Sequence, residues 1–124
     1  MRLLLDTPVL LWAIASPRRL APEVRRAIEN TGSVNVSVVS VWEIGIKRSL
    51  GKVDLPEDML QVLTFSGFEA LPVGLDHALL ACELPRHHDD PFDRLLIAQA
   101  GIEDLTIVTA DRHFAKYDVR VLAA

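Results

Sequence analysis

Residues 2–15 read RLLLDTPVLLWAIA, and this stretch decides the fold. The short apolar run Arg2–Leu5 reads as a strand, and Asp6 closes it. Thr7 then precedes Pro8, an N-cap followed by proline at the first helical position, which opens a helix over Pro8–Ala15. Working outward, short apolar runs keep alternating with longer stretches of helical period, the signature of an α/β fold built on a parallel sheet. Further strands are expected at Val34–Val36, Phe68–Pro72, Thr106–Thr109 and Val119–Leu122. Helices are expected at Pro22–Asn30, Val39–Leu50, Pro56–Thr64, Leu75–Leu84, Pro91–Glu103 and Arg112–Lys116. Asp90 before Pro91 repeats the cap-and-proline pairing, and Gly51 after Leu50 reads as a helix stop.

The 124 residues suit one domain over 1–124, long enough to bury roughly two thirds of the unfolded surface. No metal or disulfide staple is then needed for folding, and the lone Cys82, expected as a small buried hydrophobe, excludes an internal disulfide and any cysteine-cluster metal site. The longest unbroken apolar run, Val9 to Ala15, is far shorter than the ~20 residues a membrane span requires. Met1-Arg2 leads straight into the first strand without a secretory or transit pattern, so a cytoplasmic location is expected. A net charge of −4 argues against broad nonspecific affinity for nucleic acid but leaves room for a locally basic surface.

Four of the 17 acidic residues are placed unusually. Asp6 ends the first strand and Asp111 follows the Thr106–Thr109 strand, so both project toward the carboxyl ends of the strands, where open parallel sheets bind ligands. Each is also readable as a capping or turn residue. On the helix Val39–Leu50 the core-facing stripe is expected to be Val39, Trp42, Ile46 and Leu50. Glu43 falls within that stripe, and a carboxylate there must be paired, protonated or bound to a cation; Lys47 at i+4 is one available partner. Asp93 shares the inward face of its helix with Leu96, Ile97 and Ala100, although an acid in a first helical turn also favours the helix terminus. Two carboxylates about 4 Å apart repel by roughly 4 kcal/mol at an effective dielectric of 20, so a cluster calls for a cation or a proton. Carboxylate-only ligation selects Mg²⁺ or Mn²⁺ over zinc.

LLLDTPVLLW at residues 3–12, SVVSVWEIGIKRSLGKVDLP at 37–56, DPFDRLLIAQA at 90–100 and TIVTADRHFAKY at 106–117 together resemble the PIN-domain ribonucleases, and more narrowly the VapC-type toxins of toxin–antitoxin pairs. The resemblance spans nearly the whole chain, and the family's acidic quartet falls on Asp6, Glu43, Asp93 and Asp111. It implies a three-layer α/β/α sandwich around a central, mainly parallel sheet of four to five strands. It also implies Mg²⁺- or Mn²⁺-dependent endonucleolytic hydrolysis of RNA to a 3′-hydroxyl and a 5′-phosphate, a homodimer, and a small antitoxin that fills an apolar groove on the exposed part of the first two helices. Thr109, just before the last acid, matches the family pattern. Pro8 departs from it: many relatives carry a polar residue there, and proline removes a hydrogen-bonding group beside the site.

No protein nucleophile is apparent, since the G-x-S-x-G, Walker and G-x-G-x-x-G patterns are all absent. Lys47, with Arg48 and Lys52, follows Glu43 closely enough to meet substrate phosphates; Arg18, Arg19, Arg25 and Arg26 read as a solvated helix face. Arg94 beside Asp93 and Arg112 beside Asp111 are candidates to contact RNA or the acidic side chains. His87-His88-Asp89-Asp90 reads as a polar loop leading into a capped helix rather than as a transition-metal site. Trp12 and Trp42 read as core. A signalling receiver would have a second acid beside Asp6 and a lysine after a late strand, and a haloacid-dehalogenase-type phosphatase would have a polar group where Pro8 stands. A PIN fold serving in RNA processing outside a toxin–antitoxin pair, or a catalytically silent metal-binding or regulatory module, remains as the alternative, separable by an adjacent reading frame for a DNA-binding antitoxin.

Overall fold

A computed structural model describes residues 1–55 and 58–124. Five strands alternate with helices along the chain: β1 (Arg2–Leu5), β2 (Ser33–Ser37), β3 (Glu69–Leu71), β4 (Thr106–Thr109) and β5 (Arg120–Ala123). The helices are α1 (Thr7–Ala15), α2 (Pro22–Asn30), α3 (Val38–Ser49), α4 (Met59–Phe65), α5 (Leu75–Glu83) and α6 (Pro91–Glu103). Among the described residues the strands form one sheet of order β3-β2-β1-β4-β5, with every neighbouring pair parallel. The expected strands and helices are all present within a residue or two, except that Arg112–Lys116 is a 3-10 turn and that the start expected at Pro56 lies outside the described residues.

β1 takes the centre because its side chains have nowhere polar to go. Leu3, Leu4 and Leu5 are all fully buried, as a strand covered on both faces requires. Alternation sends Leu3 and Leu5 into one core with Val34, Val36, Val9, Leu10 and Ile44. Leu4 enters the other with Leu96, Ile97, Ile107 and Phe114. Helices thus cover both faces, giving three layers.

Chain order makes one place in this sheet special. From β1 the chain winds outward through β2 to β3, then returns across β1 to β4 and β5. The direction of winding reverses between β1 and β4, and the crevice at the carboxyl ends of those two strands is where such sheets place ligands. Asp6 lies there directly, its N–H bonded to the Val108 carbonyl at 3.1 Å.

Several local expectations are corrected. The N-cap of α1 is Asp6, not Thr7: its Oδ1 accepts from the Val9 N–H at 2.9 Å, and Thr7 is already helical. The inward face of α3 carries Val39, Ser40, Glu43 and Ile44, while Trp42 is 63% exposed and Leu50 is exposed. The helix is rotated because its polar Ser40–Glu43 edge faces α1; Trp42 is left outside, its ring edge-on to Phe92 with centroids 5.7 Å apart. Trp12 is half-buried against the first core, with the Arg19 guanidinium 4.7 Å over its ring. Cys82 is exposed on α5. Gly51 does stop α3: at φ +72° it directs its own N–H to Arg48 and the Lys52 N–H to Lys47, a Schellman closure that favours glycine. An apolar recess of 310 Å³ lies between α3, α4 and the β3 edge, lined by Val36, Val38, Val41, Met59, Leu63 and Phe68.

Candidate metal centre

Each acid of the expected quartet reaches the crevice from a different element. Asp6 follows β1 and is 2% exposed. Its Oδ1 caps α1 and its Oδ2 accepts from the Thr109 hydroxyl at 2.5 Å. The same Thr109 oxygen accepts the Asp111 N–H at 3.0 Å, so one hydroxyl ties the first acid to the last across the β1–β4 seam.

Glu43, 7% exposed, projects from the inward face of α3. Its Oε1 accepts from the Thr7 hydroxyl at 2.6 Å, and its Oε2 pairs with Lys47 Nζ at 2.9 Å. Thr7 Oγ1 also lies 3.1 Å from Ser40 Oγ. Lys47 is therefore committed to a carboxylate of the quartet, and the i+4 pairing and the crevice position both hold.

Asp93 enters from the first turn of α6, which Asp90 caps through the N–H groups of Phe92 and Asp93. Asp111 stands at the mouth, one-third exposed, after β4. Joining these two is a residue that sequence reasoning set aside as loop: His88 Nε2 lies 2.9 Å from Asp93 Oδ2 and 3.0 Å from Asp111 Oδ2. Its signal in the sequence was a histidine two residues before a helix cap, which says nothing about a partner 23 positions on. Asp111 Oδ1 accepts the His113 N–H at 2.9 Å and lies 2.8 Å from His113 Nδ1.

The electrostatics record the crowding. Burial pushes the Asp6 carboxyl from 3.8 up to about 6, against the Thr109 and Val9 hydrogen bonds and with help from the charges of Asp111 and Glu43. Burial likewise raises Asp93 to about 7, with Asp90, Asp6 and Glu43 pushing the same way and His88 opposing them. Asp111 is burdened by some burial, yet its hydrogen bonds from His113 and His88 bring its carboxyl below the ordinary value. Asp6 and Asp93 each feel Glu43, and Asp6 feels Asp111, so the four acids share one field. Carboxylates that raise one another's affinity for a proton suit a divalent cation equally well, and an all-oxygen donor set suits a hard one.

The remaining expected contacts fall differently. Arg94 is 9% exposed, and its guanidinium donates to the carbonyls of Ala81, Leu84, Pro85 and His88 at 2.8–3.2 Å. Its donors are spent on holding the turn between α5 and α6, not on RNA or on the acids, because it points away from Asp93 along its own helix. Arg112 is exposed beside Asp111.

A model of the PIN-domain family matches residues 3–120. Ribonuclease VapC22 of Mycobacterium tuberculosis is 30% identical over 117 residues, covering 92% of this chain and 90% of the relative. The chain belongs to the PIN-domain family, among the VapC-type ribonucleases. Solved structures share the fold at lower identity. VapBC from Salmonella typhimurium, bound to DNA, superposes with a TM-score of 0.71 at 22% identity, over 99% of this chain and 98% of that one. VapBC2 from Rickettsia felis, bound to promoter DNA, gives 0.73 at 17%, over 100% and 99%. A toxin–antitoxin complex from Klebsiella pneumoniae gives 0.68 at 18%, over 97% and 95%.

Proposed function

We propose that this chain is a metal-dependent endoribonuclease, the toxin of a toxin–antitoxin pair, with Asp6, Glu43 and Asp93 holding Mg²⁺ or Mn²⁺ and Asp111 assisting at the mouth. The observation that supports the reading is the mutual field of the four acids near the reversal point of the sheet, which helps burial raise the Asp6 and Asp93 carboxyls to about 6 and about 7. When bound, the ion lowers the pKa of a coordinated water, polarises the scissile phosphate and offsets its developing charge. The chain's own residues set the geometry. Thr109 fixes the Asp6 carboxylate against β4, and Thr7 with Lys47 fixes Glu43. Asp111, held ionised by its hydrogen bonds, keeps the mouth anionic and can orient a water there. Exposed Arg112 is the cation best placed to meet a phosphate at the rim.

A small antitoxin and a homodimer belong to the same reading. Its support is that complexes named as toxin–antitoxin assemblies have this fold, and that Val38, Trp42, Leu75 and Leu79 expose large apolar surface. No helix among the described residues is long and apolar enough to cross a membrane.

Incubating purified protein with total RNA, with and without Mg²⁺ or Mn²⁺, tests the reading. Cleavage that needs the ion and leaves 5′-phosphates is expected. Asp6→Asn and Asp93→Asn should each lose it by at least 100-fold, the scale on which removal of a key electrostatic group acts, while remaining folded. Full activity in either variant overturns the assignment.

A further inference from the structure

The rotation of α3 that turns Glu43 inward leaves its neighbour Trp42 outside, beside the crevice. Trp42 is 63% exposed, and its ring meets that of Phe92 with centroids 5.7 Å apart and planes 65° apart. The two aromatics bridge α3 and α6, the helices that carry Glu43 and Asp93, and each immediately precedes its acid in the chain. Consecutive Cα atoms lie about 3.8 Å apart, so the pair borders carboxylates close enough for Asp93 to feel the charge of Glu43.

Phe92 is the anchor, half-buried against the second core. Trp42 rests on it through an edge contact, and such a contact covers at most one face of an indole. The other face is left free of Phe92, on a side chain that has only two torsions to fix. A flat apolar face beside a phosphate-cleaving crevice matches one part of a nucleic acid strand. A base carries a π-face of its own, and it can offer that face only when it is not already stacked and paired in a duplex. A strand whose phosphate lies at the acids holds its base one sugar ring away, on the scale of the step from Glu43 to Trp42. The exposed Leu75 and Leu79 differ in kind: they are aliphatic and lie on α5, away from the four acids in sequence and element.

We propose that Trp42, held by Phe92, is a base-stacking subsite that takes an unpaired base of the RNA strand entering the crevice. The inference rests on the ribonuclease reading above and adds the substrate class, single-stranded or looped RNA. Stacking is indifferent to the pattern on a base's edge, so this subsite selects for an accessible base rather than for a particular one.

The test uses the full chain in EDTA, where ion-dependent cutting cannot run, at physiological salt, which screens the acids beyond about 8 Å. In Trp12→Phe, Trp42 is the sole tryptophan. A single-stranded oligoadenylate should quench its fluorescence, whereas the same strand annealed to its complement, or an abasic sugar–phosphate strand, should not. Trp42→Leu should weaken single-strand binding about 10-fold, the scale of stacking on one aromatic ring, and Trp42→Phe should recover most of that. With Mg²⁺ added, Trp42→Leu should act on KM for an unpaired substrate more than on kcat. Should Trp12→Phe fail to fold, a quench in the wild type that disappears in Trp42→Phe gives the same answer. Equal quenching by the abasic strand, or undiminished binding by Trp42→Leu, overturns the inference. So does fluorescence that follows protein concentration and not the strand, with Trp42→Leu dissociating a dimer, which would give this face to a second copy of the chain. A wild type that is quenched as expected yet cuts no RNA with Mg²⁺ or Mn²⁺ supports the subsite and overturns the metal-dependent nuclease reading instead.

Discussion

Asp6 does two jobs that pull in opposite directions. As the cap of α1 it is a structural acceptor; as a carboxylate nearly sealed from water it is a charge the fold resists. Its raised pKa makes the folded state bind a proton more tightly than the unfolded chain. That contribution is fully present below about 3.8 and lost as the pH rises through about 6. The difference is on the order of 3 kcal/mol for this residue, and Asp93 adds in the same direction up to about 7. The metal-free protein should therefore lose thermal stability between pH 4 and pH 7, in a calorimetric series. Added Mn²⁺ should raise Tm more at pH 7.5 than at pH 5, since protons and the ion compete for the same oxygens. Glu43 offers a second check. Thr7→Val keeps the shape of the side chain but removes the 2.6 Å donor; Mn²⁺ affinity measured by titration should fall about 10–100-fold, as it does when a partner that orients a ligand is lost.

Among the elements, the strands and most helix bounds could be read directly, because burial on both faces leaves apolar runs, Leu3–Leu5 in β1 and Ile107–Val108 in β4, and because Asp90-Pro91 announces the start of α6. The orientation of α3 could not. Its apolar residues offer a stripe through Trp42 and a competing one through Val39 and Ile44, and what selects the second is the hydroxyl of Thr7 on another helix. The placement of the acids was legible because strand ends and inward helix faces are local properties. His88 was not, since its meaning lies in partners on α6 and beyond β4. The role of Arg94 was likewise hidden: adjacency to Asp93 suggested the site, whereas helical geometry turns it toward the end of α5. Arg94→Leu would strand four carbonyls at once. It should cost about 3 kcal/mol or more in chemical denaturation and expose the turn at Pro85–Asp89 to proteolysis. Arg94→Lys should recover only part of this, because an ammonium lacks the planar fork.

At the scale of the molecule, the sheet lies between the two cores, and β1 serves both, as β4 does through Val108 and Ile107. Leu4 faces the α6 side while Leu3 and Leu5 face α1 and α2. Leu4→Ala should lower stability by about 2–5 kcal/mol in a denaturant titration, and Mn²⁺ affinity should fall with it, because Asp6 is two residues away on the same strand exit. The 3-2-1-4-5 strand order also explains why Asp6 and Asp111, so far apart in sequence, come together: the two strands flanking the reversal point end at the crevice, β1 followed at once by Asp6 and β4 ending in Thr109 with Asp111 two residues on.

The Thr109 hydroxyl joins residues separated by 103 positions, and this fixes when the centre can exist during synthesis. A nascent chain presents Asp6 first, but the strand that must lie beside it, and the hydroxyl that orients it, leave the ribosome 103 positions later. Until then the acids already made have no common pocket. A polypeptide of this design therefore cannot orient Asp6 until Thr109 has followed it out.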